Sequence, residues 1–308
     1  MNVWLPDMPG AASVGELPSG VRCRCYSVAD GPPQEARDAE FFVPGYAPIA
    51  ALATRLQEMA DLRVIQTLSA GVDAVAAHVP PGVTLCNARG AHNSAVAEWI
   101  AAVMLAHTKA LPQLLEQQRE RRWRQRQLGD LEGLTVTILG YGSIGATLER
   151  ALAGFGVRLI RVGRTAEGDV HGIDELASLL PVTDVLVVLL PLTDETRGLL
   201  GRDLLGRLPA GALLVNAARG PVVDTDALLE LLAGGRLHAA LDVTDPEPLA
   251  PEHPLWSAPG VLITPHVAGD TAGSERRAFA LVGEQVRRWA AGEALRNVVA
   301  PEQSRHSS

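Results

Sequence analysis

Apolar positions along this chain repeat with two different periods. From residue 134 onward, short apolar runs at 136–139, 157–162, 185–190, 212–216, 238–242 and 261–264 alternate with stretches of helical spacing at 144–155, 174–179, 202–208 and 225–232. Strands alternating with helices in this way predict a doubly wound parallel sheet. The first hundred residues predict a separate α/β unit, with strand-like runs at 21–28, 41–43 and 64–68 and a helix over 49–59. A long helical pattern from 94 to about 127 connects the two, with Ser94 at its N-cap and Glu98 in its first turn. A last helical pattern, 273–291, precedes Asn297-Val298-Val299. A chain that leaves one domain and returns places that tail against the N-terminal unit. Residues 301–308 read as frayed.

One stretch organises the second regime. Val136 to Leu139 is a β-type run, Gly140-Tyr141-Gly142-Ser143-Ile144-Gly145 follows, and helical spacing begins at once. A glycine fingerprint that ends a strand and opens a helix has a mechanism. Gly140 permits the tight turn, Gly142 lets backbone approach a pyrophosphate, Gly145 lets helix and strand pack, and the helix N-terminus attracts phosphate charge. A glycine-rich βα turn of some other α/β protein is the alternative.

Composition narrows the partners. The chain has 308 residues, is 47% hydrophobic, and is long enough for two domains. Its apolar runs fall far short of the ~20 residues that cross a bilayer. No basic segment precedes an apolar one at the N-terminus, so no secretory signal is expected and the cytoplasm is the expected location. A formal net charge of -8 argues against nucleic acid. Cys23, Cys25 and Cys86 show neither a paired framework nor a metal spacing, so reduced structural thiols and no metal are expected. Lys109 is the one lysine, which leaves Schiff-base chemistry almost no candidate and makes single arginines less diagnostic.

The second strand of a dinucleotide fold using NAD ends in an acidic residue that bonds the ribose 2′-hydroxyl. Here it ends in Gly163-Arg164-Thr165. A carboxylate would repel a 2′-phosphate, whereas Arg and Thr can bond one. NADP(H) is therefore expected over NAD(H), with NAD(H) as the alternative.

Three loops after predicted strands carry polar residues on apolar supports: Arg219 beside Gly220, Asp242 and Glu247 in Asp-Val-Thr-Asp-Pro-Glu-Pro, and His266 in Thr-Pro-His-Val-Ala-Gly. Singly each has a structural explanation. Together, at three strand ends of one sheet, Arg, Glu and His make a carbonyl-reducing set. A further glycine turn, Ser69-Ala70-Gly71-Val72-Asp73, could present backbone amides to an anion. The arginines at 119, 121, 122, 124 and 126 around Trp123 form either an anion-facing patch or a solvated helix end with Trp123 packed on a domain. Arg89, His92, Trp123 and Trp256 are candidates for the pocket border.

Five ordered motifs resemble the D-isomer-specific 2-hydroxyacid dehydrogenase family: Gly-Tyr-Gly-Ser-Ile-Gly at 140–145, Leu-Pro-Leu-Thr-Asp-Glu-Thr-Arg-Gly at 190–198, Val-Asn-Ala-Ala-Arg-Gly-Pro-Val-Val-Asp at 215–224, Asp-Val-Thr-Asp-Pro-Glu-Pro-Leu at 242–249 and Thr-Pro-His-Val-Ala-Gly at 264–269. The resemblance implies an α/β protein of two domains. One is a Rossmann-type doubly wound parallel sheet at 99–285. The other is a flavodoxin-like substrate domain at 1–98, completed by 286–308. It implies a homodimer acting on a small 2-oxo acid such as glyoxylate or hydroxypyruvate.

By the same resemblance, Arg219 holds the substrate carboxylate and polarises its 2-oxo group. His266 is the general acid, and Glu247 bonds it and favours the imidazolium. The amides of Ala70, Gly71 and Val72 cradle the carboxylate opposite Arg219. Gly140, Gly142, Ser143, Ile144, Gly145, Gly163, Arg164, Thr165, Pro191, Thr196, Ala217, Asp242 and Gly269 line the cofactor, Asp242 near the nicotinamide carboxamide. The rival reading from another class is a non-catalytic dinucleotide sensor of the same fold, because the family includes transcriptional corepressors.

Overall fold

The computed structural model describes residues 1–46 and 49–299, without the side chains of Ala50 and Ala51. The expected frayed end at 301–308 lies outside the described residues. In chain order the strands are β1 (Asn2–Asp7), β2 (Arg22–Ser27), β3 (Phe41–Phe42), β4 (Val64–Gln66), β5 (Thr84–Cys86), β6 (Thr135–Leu139), β7 (Arg158–Gly163), β8 (Val170–Gly172), β9 (Val185–Val188), β10 (Ala212–Asn216), β11 (Leu237–Leu241) and β12 (Val261–Ile263). The helices are α1 (Ile49–Glu58), α2 (Asp73–Ala76), α3 (Asn93–Thr108), α4 (Leu111–Arg119), α5 (Ser143–Leu152), α6 (Leu176–Leu179), α7 (Arg202–Leu205), α8 (Thr225–Ala233) and α9 (Ala272–Ala290). Among the described residues no helix is long and apolar enough to cross a membrane.

The chain divides into two compact units, one of residues 1–92 with 271–308, the other of residues 93–270. In the first, five parallel strands take the order β2-β1-β3-β4-β5, the flavodoxin-like arrangement. Strand alternation divides its core. Val3, Leu5, Phe41 and Val64 face one way and pack with Phe279, Val282 and Val286 of α9, while Trp4, Phe42 and Ile65 face the other way with Leu52 and Leu56 of α1. Strands β1 and β5 were not legible in the sequence, since neither stands out there as an alternating or sharply bounded apolar run.

The resemblance implies a return to this unit at 286; the structure places it at 271. The reason is the face of α9. Gly283 lets the backbone of Val14 come so close that a Cβ there would sit 1.9 Å from the Val14 carbonyl oxygen, and Glu275 accepts the Gly10 amide at 2.6 Å. Both halves of α9 are therefore packed into this core. After it, Val299 donates its amide to the Leu85 carbonyl and Val298 bridges Cys86 in antiparallel fashion, so the tail joins β5 of this unit.

The second unit carries seven parallel strands in the order β12-β11-β10-β9-β6-β7-β8. Counted from β6, this is the Rossmann order with a seventh strand added. β6 and β9 pair directly although β7 and β8 intervene in sequence, so the chain reverses direction across the sheet between them. Crevices at such reversals are where open α/β sheets bind ligands. β8 is a three-residue edge strand that the apolar pattern does not predict.

The expected helix at 94–127 is two helices and an irregular segment. α3 begins at Asn93 rather than after Ser94. It ends at Thr108, and Ala110 in the left-handed region (φ 49°) turns the chain into α4. Beyond Arg119 the arginine-rich segment has no helix, and Trp123 is 93% exposed, so neither the solvated helix nor a packed Trp123 is found in this chain.

On α3, the His107 ring lies 4.7 Å from that of His238 of β11, tilted by 54°, both lining a cavity of about 280 Å³. Burial, and then the neighbouring imidazole, pull His107 down to about 4. An unfolded histidine titrates near 6.5. Between those values the unfolded chain binds a proton that the folded chain refuses, so stability falls as pH drops through this window. Melting temperatures from pH 7 to pH 4 should decline less steeply for His107→Gln than for the wild type; parallel curves would remove His107 from the account.

Candidate active site

The glycine turn follows β6 at the sheet reversal. Gly140 takes φ 96°, and a Cβ there would lie 2.7 Å from the Leu189 carbonyl group, so only glycine lets this turn lie against the segment after β9. The amides of Gly140 and Tyr141 both donate to the Val162 carbonyl, at 2.8 and 2.9 Å. Gly145 is buried under Ile138 and Tyr141, where a Cβ would come within 3.1 Å of each. Gly142 is different, because a Cβ there would meet nothing within 4 Å. It is also the N-cap of α5 and supplies no side chain to the first helical amides, among them those of Ser143 and Ile144. Open space above uncapped amides at a helix start fits a phosphate.

An ion-pair cluster that the sequence did not reveal braces this turn. Glu149 of α5 takes a bidentate grip from Arg161 of β7 and accepts the Tyr141 hydroxyl at 2.5 Å, while the Arg161 guanidinium stands 5.8 Å from the Tyr141 ring centre. The Arg161 and Tyr141 hydrogen bonds hold the Glu149 carboxyl down at about 2. Only the approach of α5 to β7 brings these three together. β7 then ends at Gly163, and Arg164 and Thr165 are exposed, with no hydrogen bond or ion pair among the described residues.

β10, β11 and β12 pair in register, Asn216 beside Leu241 and Leu241 beside Ile263, so the loops that follow leave the sheet at one level. In the first loop the Asn216 side chain accepts the Ala218 amide and donates to the Arg219 carbonyl, both at 3.1 Å. Arg219, half-buried, donates through Nη1 to the Ala218 carbonyl at 2.7 Å. Next to it, a Cβ on Gly220 would fall 1.9 Å from the Thr244 carbonyl oxygen, so glycine there is what allows the first and second loops to nest.

The third loop presents His266. Its Nδ1 lies 2.6 Å from Glu247 Oε1, with both side chains about half exposed. His266 has φ 56°, a left-handed backbone that costs a non-glycine residue roughly 1–2 kcal/mol. Asp242 supplies the restraint. Its main-chain carbonyl accepts the His266 amide at 2.7 Å, and its buried carboxylate accepts the Thr264 hydroxyl at 2.6 Å and the Val267 and Ala268 amides at 2.9 Å each. Arg219 on one loop of this sheet edge and a paired imidazole and carboxylate on its neighbours make a set of groups of the kind that can hold a carboxylate-bearing substrate and pass a proton.

Residues 101–268, nearly all of the second unit, match the family profile described as "D-isomer specific 2-hydroxyacid dehydrogenase, NAD binding domain". The chain belongs to the D-isomer specific 2-hydroxyacid dehydrogenase family. Among its relatives, glyoxylate/hydroxypyruvate reductase B of Serratia proteamaculans is 36% identical over 234 residues, covering 70% of this chain and 71% of the relative. The D-3-phosphoglycerate dehydrogenase of Archaeoglobus fulgidus is 31% identical over 255 residues, and this chain spans only about half of it, 48%. A D-isomer specific 2-hydroxyacid dehydrogenase of Xanthobacter autotrophicus Py2, solved with NADPH and MES, superposes with a TM-score of 0.82 at 31% identity, covering 97% of this chain and 98% of that one. The protein is thus an NAD(P)-binding oxidoreductase of the 2-hydroxyacid dehydrogenase type.

For this dehydrogenase the other expected site residues divide between the units. In the second, the Thr196 hydroxyl is occupied within its own turn, donating to the Pro191 carbonyl at 2.7 Å and accepting the Thr193 amide at 2.8 Å. Ala217 follows β10 and Gly269 closes the His266 loop, both partly exposed. In the first unit, the carbonyls of Ala70 and Gly71 accept from Asn87 and Ser69, while the amides of Ala70, Gly71 and Val72 donate to nothing among the described residues of that unit. His92 Nε2 lies 2.7 Å from the Leu68 carbonyl, Arg89 is exposed, and Trp256 in the second unit donates its indole N–H to the Ala250 carbonyl.

Gly220→Ala should separate the first two loops. The substituted protein is expected to keep its fold and lose at least about tenfold in kcat/KM, since displacements near 1 Å at a site cost on that order or more. Full activity with unchanged melting would show that the nesting is dispensable.

Proposed function

We propose that this dehydrogenase reduces a small 2-oxo acid, glyoxylate or hydroxypyruvate, to the corresponding 2-hydroxy acid, D-configured where a stereocentre forms, with NADPH as the preferred reductant. The observation that carries the reading is the His266–Glu247 pair at 2.6 Å, on the same sheet edge as Arg219.

With Nδ1 engaged by the Glu247 carboxylate, His266 is left with Nε2 as its proton-donating end. The Gly140–Gly145 turn would hold the nicotinamide cofactor, whose chemistry would be the supply of a hydride to the carbonyl carbon. As the carbonyl oxygen gains negative charge, Arg219 stabilises it and holds the substrate carboxylate by charge-assisted hydrogen bonds. His266 delivers a proton to that oxygen, and Glu247 compensates the imidazolium charge before the transfer; in reverse His266 takes the proton back. The amides of Ala70, Gly71 and Val72 are a second carboxylate anchor in this reading. The unit that contains them is the substrate domain, and the seven-stranded unit is the dinucleotide domain. A homodimer, the assembly the family implies, is part of the same proposal.

NADPH is preferred because the end of β7 offers an exposed Arg164 and Thr165 and no carboxylate. Arg161, the other arginine near that strand end, is already paired with Glu149. The Xanthobacter relative's NADPH complex is consistent with this choice.

Turnover of glyoxylate and hydroxypyruvate with NADPH and NADH checks the substrate and cofactor together. His266→Ala should lower kcat by about 10²–10⁴-fold, the range for loss of a general acid, whereas Arg219→Ala should act mainly on kcat/KM for 2-oxo acids. Retained turnover in either variant would end that residue's assignment. Arg164→Ala should reduce kcat/KM for NADPH by roughly tenfold or more, the worth of a hydrogen bond to a charged group, and leave that for NADH nearly unchanged. Equal loss with both cofactors would count against recognition of the 2′-phosphate.

A further inference from the structure

We infer that Tyr141 and Glu149 are positioning residues for cofactor choice. They fix the spacing between the open amides at the start of α5 and the side chains of Arg164 and Thr165 beyond β7. NADP(H) differs from NAD(H) in placing an anion at both of these points at once, so its binding depends on that spacing more. The inference rests on the reading of Arg164 and Thr165 as the site of the 2′-phosphate.

Turn and strand are joined at one atom. The Val162 carbonyl accepts the amides of both Gly140 and Tyr141, at 2.8 and 2.9 Å, and Arg164 stands two residues beyond Val162. A carbonyl shared in this way is a pivot: it keeps the turn beside β7 and leaves its tilt open. The Tyr141 side chain removes that freedom. Its ring packs on Gly145, where a Cβ would come within 3.1 Å of Tyr141 Cδ2, so the residue lies against the first turn of α5. Its hydroxyl donates at 2.5 Å to Oε2 of Glu149, further along the same helix.

Glu149 extends the brace to β7. Arg161 Nε donates to Glu149 Oε2 at 3.0 Å, Nη2 donates to Oε1, and the guanidinium lies 5.8 Å from the centre of the Tyr141 ring. A forked contact of this kind fixes direction as well as distance. Turn, helix and strand therefore meet on one carboxylate, and the side chains of Arg161 and Glu149 are only 27% and 25% exposed. NAD(H) brings its pyrophosphate to the α5 amides and offers the end of β7 only hydroxyl groups, whereas NADP(H) adds a second anion there. A ligand held at two points gains from rigid spacing, and a joint that tilts takes most from the ligand with two anions.

The test titrates the full chain, free of cofactor, by calorimetry with NADP⁺, NAD⁺ and adenosine 2′-monophosphate, the last as a probe of the β7 end alone. Tyr141→Phe removes the hydroxyl and keeps the ring on Gly145. Glu149→Gln combined with Arg161→Gln removes the ion pair at unchanged net charge. Each is expected to raise the Kd for NADP⁺ by about tenfold, the order that a hydrogen bond to a charged group contributes. The Kd for NAD⁺ should stay within about threefold of wild type, and that for adenosine 2′-monophosphate within about twofold, since neither ligand places anions at both points. Amide hydrogen exchange at Gly140 and Tyr141, which share the Val162 carbonyl, should be at least about threefold faster in both variants. Arg164→Ala is titrated alongside and should weaken NADP⁺ and adenosine 2′-monophosphate together.

Equal losses of NADP⁺ and NAD⁺ affinity would overturn the inference, because the cluster would then shape the pyrophosphate turn alone. A parallel loss for adenosine 2′-monophosphate would overturn it too, by putting the cluster at the 2′-phosphate itself, and so would unchanged exchange at Gly140 and Tyr141. If the double variant does not fold, Tyr141→Phe decides by itself. The reading of Arg164 fails separately. Wild-type affinity for NADP⁺ in Arg164→Ala would remove that reading and this inference with it. Selective weakening of NADP⁺ by Arg164→Ala, with wild-type binding in Tyr141→Phe, would leave the reading standing and end the inference.

Discussion

Parallel pairing of β10, β11 and β12 is the constraint from which the site follows. With Asn216, Leu241 and Ile263 side by side, three loops widely separated in sequence must leave the sheet at one edge and one height. Arg219, Asp242 and His266 lie within three residues of those strand ends, and Glu247 is brought to His266 from the middle loop. β10 and β11 are wholly or largely buried and β12 is half-buried against them, so the register is held by the core and not by the loops. Polar chemistry at the edge is then free to vary without moving its support.

Close approach is the second requirement, and glycine supplies it. Gly220 brings the Arg219 loop onto the carbonyl of Thr244, and Gly140 brings the cofactor turn onto the backbone after β9. At neither place would a methyl group fit. His266 shows the opposite solution: a bulky residue in a backbone conformation that glycine would adopt more easily, held there by hydrogen bonds from its loop to Asp242. The loop thus combines a rigid main chain with a half-exposed ring.

At the cofactor end, charge is sorted by partner. Glu149 absorbs the charge of Arg161 and ties down Tyr141, which fixes the turn between Gly140 and Gly142. Arg164, three residues further along, has no such partner among the described residues and faces solvent. Two arginines at one strand end therefore have different work: one stabilises the protein's own turn, the other remains available to an anion.

The sequence by itself determined the family, the alternation of strands and helices in the second unit, and the candidate residues. Apolar periodicity located β6, β7, β9, β10, β11 and β12, because strands of a parallel sheet covered on both faces are short, mainly apolar runs, and the glycine spacing marked the turn after β6. Motif residues named Arg219, Glu247 and His266, since their side chains and loop contexts are local properties. Strands β1, β5 and β8 were missed for the converse reason: short or polar-edged, they are strands only because a neighbour pairs with them. Tertiary structure alone decided that α9 belongs along its whole length to the first unit, through Gly283 against Val14, and that the arginine-rich segment is not helical. It also decided the partners of Asp242 and the Glu149–Arg161–Tyr141 cluster. Those depend on distances between residues far apart in sequence, and no local pattern of hydrophobicity, charge or glycine encodes a distance.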